Sequence, residues 1–278
     1  MKTVKKPGQS GQAFATAVIT FFLILALAPI ALVLLNSTKN TFQILKNPLA
    51  PPAKLSFDNF SHAWISANLG RGFLNSIELT GLTILIVVIT SALAGYALAQ
   101  GRSKMISGIK VYFIMAMTVP MQLFIYPLYY VFSKLNLINN YIAISIVLAA
   151  INLPLAVLLM RTYFLSVPKS LEEAARIDGA STLQLLMKIM LPIAMPGMIT
   201  VAVIVGIYTW NEFLISSTFL QGKTNFTAIL SYRTLINTAP DYGMLMAGAV
   251  ILVAPIIVFF MIFQRRFVEG LTQGSVKG

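Results

Sequence analysis

Six stretches of this chain run for 23 residues or more without a single Asp, Glu, Lys or Arg: residues 7–38, 79–101, 111–133, 135–160, 189–211 and 242–264. A helix needs about 20 apolar residues to cross the hydrocarbon core of a bilayer. Each stretch is therefore a candidate span, and a chain built this way cannot fold as a soluble domain. Only 10% of its residues are charged, where a soluble domain carries about a quarter. A membrane barrel is excluded too, because its strands would alternate apolar and polar residues over segments of about ten. The expected fold is all-α and polytopic, with six transmembrane helices.

Orientation follows from the placement of Lys and Arg. With the N-terminus inside, 13 of the 20 basic residues fall on the cytoplasmic side and 7 outside. Cytoplasmic loops concentrate Lys and Arg, so both termini are expected inside. The net charge of +12 is scattered over short loops, with no basic stripe or aromatic platform that would hold nucleic acid. Lys2, Lys5, Lys6 and the later Ala26-Leu27-Ala28 resemble a signal peptide and its cleavage site. The apolar run 13–35 outlasts a signal-peptide core of about 7–15 residues, so a retained anchor is expected. Cysteine is absent, which removes disulfides, thiolate metal sites and thiol nucleophiles. The single histidine, His62, sits in the external loop 36–72 with no His or Cys to share a metal, and no metal is expected. Phe57, Phe60 and Trp64 around it suit a short interfacial helix.

The later spans are expected near 75–99, 109–132, 141–163, 193–215 and 244–263. Pro120 and Pro127 each remove a backbone hydrogen bond from the third span. Two readings stand: an irregular helix lining a path, or a kink needed only for packing. Glu78 could pair with Arg71 at the outer start of the second span, and Glu212 lies toward the outer end of the fifth. No two acids share a span and the histidine is outside, so a membrane-embedded enzyme lacks its catalytic groups.

The most polar inward segment is 165–190. Ser170 with Glu173, and Ser181 with Gln184, fit two capping boxes, and Gly179 between them fits a left-handed helix stop. The second helix is expected to end before Leu191-Pro192. The result is a helix–Gly–helix elbow with Ala174 and Ala175 on a small flat face, and with Glu173 and Asp178 as negative charges. Such an elbow is either a docking site for a cytoplasmic partner or a solvated amphipathic linker.

The elbow carries a resemblance. Glu173-Ala174-Ala175, three residues, Gly179, nine residues, then Ile189-Met190-Leu191-Pro192 is similar, spacing included, to the EAA loop of ABC importer permeases. Residues 167–180, Val-Pro-Lys-Ser-Leu-Glu-Glu-Ala-Ala-Arg-Ile-Asp-Gly-Ala, look like the carbohydrate-uptake branch. Val119-Pro120-Met121-Gln122 with Pro127-Leu128-Tyr129 resembles the third span of maltose-type permeases, and Thr209-Trp210-Asn211-Glu212-Phe213 their fifth. The tail 266–278 is similar to that of the smaller, six-span subunit.

The resemblance implies a single permease domain over 1–278, of the ABC type I importer fold. It comprises a first span at 13–35, a five-helix core at about 72–264, the coupling loop 165–190 and a cytoplasmic tail 265–278. It implies a bacterial or archaeal plasma membrane and inward transport of a sugar or oligosaccharide. The same architecture serves glycerol phosphate, peptides or polyamines; an ion-coupled secondary transporter is the remoter alternative. The implied partners are a second permease subunit, two cytoplasmic ATPase subunits and an external binding protein. ATP and Mg belong to the ATPases, since this chain has no catalytic residues and no phosphate-binding Gly-x-x-x-x-Gly-Lys-Ser/Thr loop. ATPase coupling would fall to Glu173, Ala174, Ala175, Asp178, Gly179, Ala180, Ile189, Leu191 and Pro192. Aromatic and amide side chains suited to a polyol path are Gln122, Tyr126, Asn152, Tyr208, Trp210 and Asn211, together with Glu212.

Overall fold

The long uncharged runs become long helices. In the computed structural model, which describes residues 9–52, 54–101, 103–236 and 241–273, no strand occurs among the described residues. Four helices are long and apolar enough to span a membrane: α1 (Gln9–Asn36), α4 (Leu69–Gln100), α7 (Tyr141–Ser166) and α14 (Tyr242–Gln273). Two bent pairs bring the candidates to six if each pair is one span. One joins α5 (Lys104–Ala116) to α6 (Ile125–Lys134), through a 3₁₀ turn at Met121–Phe124, at 88°. The other joins the segment Thr182–Ile193 to α11 (Met195–Trp210) at 69°. Short helices fill the loops: α2 (Thr41–Lys46), α3 (Asp58–Ser66), α8 (Lys169–Ile177), α9 (Thr182–Leu185), α10 (Leu191–Ile193), α12 (Leu214–Phe219) and α13 (Ala228–Ile236). The basic residues Lys2, Lys5, Lys6 and Arg102, and the tail 274–278, lie outside the described residues.

Two expected spans are corrected. The third is no continuous helix over 109–132. Pro120, with no N–H to give, opens the 3₁₀ turn after α5 has ended at Ala116. Pro127 breaks nothing, because it falls in the first turn of α6, where its missing N–H is not needed. The fifth does not run through to 215. It stops at Trp210, and a new helix, α12, starts at Leu214. Among the described residues, no ion pair joins Glu78 to Arg71 either.

Contacts divide the chain into two units, residues 1–69 with 232–254, and residues 70–231 with 255–278. The first holds a buried cation, Lys39. It is 2% exposed, and its Nζ donates to the carbonyls of Asn47 at 3.4 Å and Pro48 at 3.1 Å. Burying an ammonium requires such acceptors. Asn59 donates to the carbonyls of Ser37 and Lys39, each at 2.8 Å, and Thr41 donates to Asp241 at 3.0 Å. The charge expected in an outer loop is thus a structural pin. The α3 segment is helical as expected, with Phe57 and Trp64 exposed and His62 on the surface. Among the described residues no group of His, Cys, Asp or Glu could hold a metal.

The second unit has two cores. One joins Val87, Tyr96, Met160, Phe164, Leu185, Leu186 and Val201; the other joins Leu79, Phe132, Leu148, Ile215 and Phe219. Helices α4 and α7 meet closely at Gly95, where a Cβ would stand 2.7 Å from that of Met160. Small residues permit this approach between membrane helices. Just below, Tyr96 and Phe164 meet edge to face at 5.5 Å and the Arg161 Nε donates to the Leu98 carbonyl at 3.2 Å. At the opposite end, Asn75 donates to the carbonyls of Thr224 and Phe226, and the Tyr141 hydroxyl to that of Asn225. These bonds fasten the loop after α12 to α4 and α7.

Candidate functional site

The elbow between α7 and α11 begins at Val167-Pro168. Pro168 takes the N-cap position of α8, with no side-chain cap. Ser170 is therefore already inside the helix, and the first capping box expected from the sequence does not form. The second does: Ser181 Oγ accepts from the Gln184 N–H at 3.3 Å, and Gln184 accepts from the Ser181 N–H at 2.9 Å. Between them α8 closes in a Schellman turn. The Ala180 N–H donates to the Ala175 carbonyl at 3.0 Å and the Gly179 N–H to that of Arg176 at 3.1 Å. Gly179 has φ +81°, and nothing lies within 4 Å of where its Cβ would be. Only the backbone demands glycine here, at about 1–2 kcal/mol for another residue.

The second arm does not end before Leu191-Pro192. It widens into a π turn over Leu186–Met190 and continues through α10 to Ile193. Pro192 removes the N–H that would meet the carbonyl four residues back. The wider turn, with Leu191 N–H donating to the Leu186 carbonyl, lets the helix pass the proline. Such π turns recur at functional places in helices.

Packing sorts the elbow residues into two groups. Ala175 is 6% exposed and joins the first core beside Leu185 and Leu186; Ala180, Ile189 and Leu191 pack against the same cluster. The expectation that Ala175 presents a flat face to another surface is thus corrected: its methyl is spent inside this chain. Glu173, Ala174, Asp178, Gly179 and Pro192 are exposed. So are two large apolar side chains that sequence reading passed over, Ile177 at 86% and Leu183 at 68%.

A polar strut ties the elbow to α4. Glu172 accepts from Gln100 Nε2 at 2.8 Å and from Arg176 Nη2 at 2.9 Å. Burial opposes ionisation of Glu172, but these two hydrogen bonds and the charges of Arg176 and Lys169 outweigh it and hold its pKa below the ordinary value. The spacing of Glu172 and Arg176, four apart on a helix, was the available signal. Nothing local pointed to Gln100, which is 72 residues away in sequence.

The polyol-path residues do not gather into one cluster. Gln122 and Tyr126 are exposed on the bent pair that stands for the third span. Asn152 donates within α7 to Leu148 and faces Ile204 and Val205 of α11. Tyr208 is half-exposed, and Asn211, exposed, donates back to Ile207. Trp210 meets Phe73 edge to face at 5.6 Å and lines a cavity of about 340 Å³ with Thr80, Ile84, Pro255 and Phe259. Its indole N–H and the Thr80 hydroxyl are the polar groups there, both without a partner. So apolar a lining cannot satisfy a polyol. Glu212 does not face water: it is 8% exposed, and its carboxylate accepts from the N–H groups of Ile215 and Ser216 and from the Ser216 hydroxyl.

Residues 91–273 match the family described as binding-protein-dependent transport system inner membrane component. The chain belongs to this family of ABC transporter permeases. Over 94% of its length this permease is 33% identical to a probable ABC transporter permease, YurM, of Bacillus subtilis, covering 87% of that protein. It is also 33% identical to the arabinooligosaccharide transport permease AraQ of Halalkalibacterium halodurans, over 93% of this chain and 94% of that one. A crystal structure of a bacterial ABC transporter involved in alginate import contains a chain that superposes with TM-score 0.80. The match covers 95% of this permease and 100% of that chain at 22% identity. The bent pairs and the elbow are thus parts of the ABC importer permease fold, in a multi-pass membrane protein.

Proposed function

We propose that this permease carries a sugar or oligosaccharide inward as one half of an ATP-driven importer. The observation that carries the reading is near full-length similarity to permeases named for oligosaccharides: the arabinooligosaccharide permease, and a diacetylchitobiose permease of Streptomyces coelicolor that is 29% identical over 99% of this chain. In this reading a second permease subunit completes the path. An external binding protein delivers the solute, and two ATPase subunits supply ATP and Mg chemistry. A solved alginate transporter in complex with its periplasmic protein, with TM-score 0.67 to this chain, supports the external partner. The elbow suits the ATPase contact: it is rigid within, and it exposes Ile177, Leu183, Glu173 and Asp178 without. The path would run along the exposed groups, Gln122, Tyr126, Tyr208 and Asn211, rather than through the Trp210 cavity. With the assembled transporter in proteoliposomes, an oligosaccharide-loaded binding protein is expected to raise ATP hydrolysis and fill the vesicles with labelled sugar. Stimulation by glycerol phosphate, a peptide or a polyamine instead would replace the sugar.

We infer from the distribution of Lys and Arg that both termini and the elbow lie in the cytoplasm. The absence of native cysteine makes the test clean. In intact cells an impermeant thiol reagent is expected to label Ser61→Cys at once and Ser181→Cys only after permeabilisation. Labelling of Ser181→Cys in intact cells would reverse the orientation.

A further inference from the structure

Helix α4 is fastened by polar side chains at both ends. At one end Gln100, its last residue, donates from Nε2 to Glu172 Oε2 of α8 at 2.8 Å. The other oxygen of that carboxylate is taken by Arg176, at 2.9 Å. Arg161 of α7 donates to the Leu98 carbonyl, one of the last four that a helix leaves open. At the other end Asn75 donates to the carbonyls of Thr224 and Phe226, at 2.9 and 2.8 Å. Beside it Ser76 Oγ accepts from the Ala228 N–H at 2.9 Å. Asn75 and Ser76 are buried, so water does not compete for these bonds. Between the two fastenings α4 is unbroken and holds no proline. From Asn75 to Gln100 it measures about 38 Å at 1.5 Å per residue, more than the hydrocarbon core of about 30 Å.

We propose that α4 is a rod coupling the elbow to the loop 220–228 across the membrane, and that Gln100 and Glu172 are the positioning residues that engage it. The chain itself gives α8 a loose hold. Val167 and Pro168, which join it to α7, are extended and do not resist its rotation. The apolar contacts of Ala175 keep α8 close but set no direction. The Gln100–Glu172 hydrogen bond is directional, and it fixes the bearing of α8 on α4. On its other side the elbow reaches α11 through a π turn and a 69° bend. A push on α8 thus has a straight route along α4 and a jointed one toward α11. The rod rests on the importer reading, in which ATPases move the elbow and a binding protein acts on the opposite face. Through α4 each partner senses the other.

The test uses the assembled transporter in proteoliposomes and reads ATP hydrolysis with and without the sugar-loaded binding protein. Gln100→Leu is expected to keep basal hydrolysis and to lower the stimulation about fivefold, the lower end of ordinary allosteric coupling. Gln100 is exposed, so leucine there does not disturb the core. Gln100→Lys, whose ammonium can donate to Glu172, should restore the stimulation. Asn75→Ala releases the rod at its other end and should lower the stimulation too. The double variant, Gln100→Leu with Asn75→Ala, should be no worse than the weaker single one. Independent sites so far apart would add their effects. Additive losses, parent-level stimulation in Gln100→Leu, or no rescue by Gln100→Lys overturns the rod and leaves the importer reading standing. A parent that answers no loaded binding protein refutes that reading, and the rod with it.

Discussion

Ala175→Glu is expected to abolish transport by unfolding the elbow from inside. The side chain is 6% exposed and belongs to the core formed with Tyr96, Phe164, Leu185 and Leu186. Its own carbonyl anchors the Schellman turn through Ala180. A carboxylate at this position has no partner, and burying an unpaired charge is among the few single changes that cost about 4 kcal/mol or more. Either the charge neutralises in place or α8 swings away from α9. The discriminating control is Ala174→Glu, one residue earlier and exposed. It is expected to leave thermal stability at the parent level and act only where α8 meets another protein, so that less ATPase co-purifies. Ala175→Glu should lower the unfolding temperature of the purified permease and open the elbow to protease. If Ala175→Glu melts with the parent and loses only ATPase, the methyl faces the partner after all and does not pack against Leu185 and Leu186.

What could be read in advance followed the range of the physics involved. Charge-free runs of 23 residues or more forced spanning segments, because no local alternative hides that much apolar surface. The positive φ at Gly179 was likewise legible, since a helix stop beside a small residue is a local matter. The two Ser-x-x-Glu/Gln patterns looked alike, yet only Ser181–Gln184 caps, because Pro168 had already taken the N-cap of α8. A pattern names a possible cap, while the path of the incoming chain decides where the helix starts. The 88° turn at 117–120 was less legible still. Proline predicts a break, but its angle is set by what α5 and α6 pack against. Ala175 was misjudged, and the burial of Lys39 and Glu212 was not foreseen, for one shared reason. Exposure is a tertiary property, and a small or charged side chain carries no local sign of being enclosed.

Glu212→Leu is expected to destabilise the region around α12 while leaving solute preference alone. The carboxylate lies between the end of α11 and the start of α12, and one oxygen accepts from the Ile215 N–H at 2.6 Å. The other accepts from the Ser216 N–H and hydroxyl, each at 2.9 Å. Phe213, at the N-cap position of α12, provides no side-chain cap, so Glu212 does that work from one residue upstream. Leucine fills a similar volume but strands two buried N–H groups and a hydroxyl. Each stranded donor costs about 1–3 kcal/mol. Ile215 and Phe219 of α12 belong to the second core, so loosening this turn also loosens Phe132 and Leu148. Glu212→Gln keeps one carbonyl oxygen for the N–H groups and should fall between leucine and the parent. The order parent, Gln, Leu is therefore expected in thermal unfolding midpoint and in the amount of protein reaching the membrane. Transport per folded molecule should follow the parent's ranking of solutes in all three. A Glu212→Leu protein that melts with the parent but ranks solutes differently would return this residue to the transport path and remove it from the scaffold.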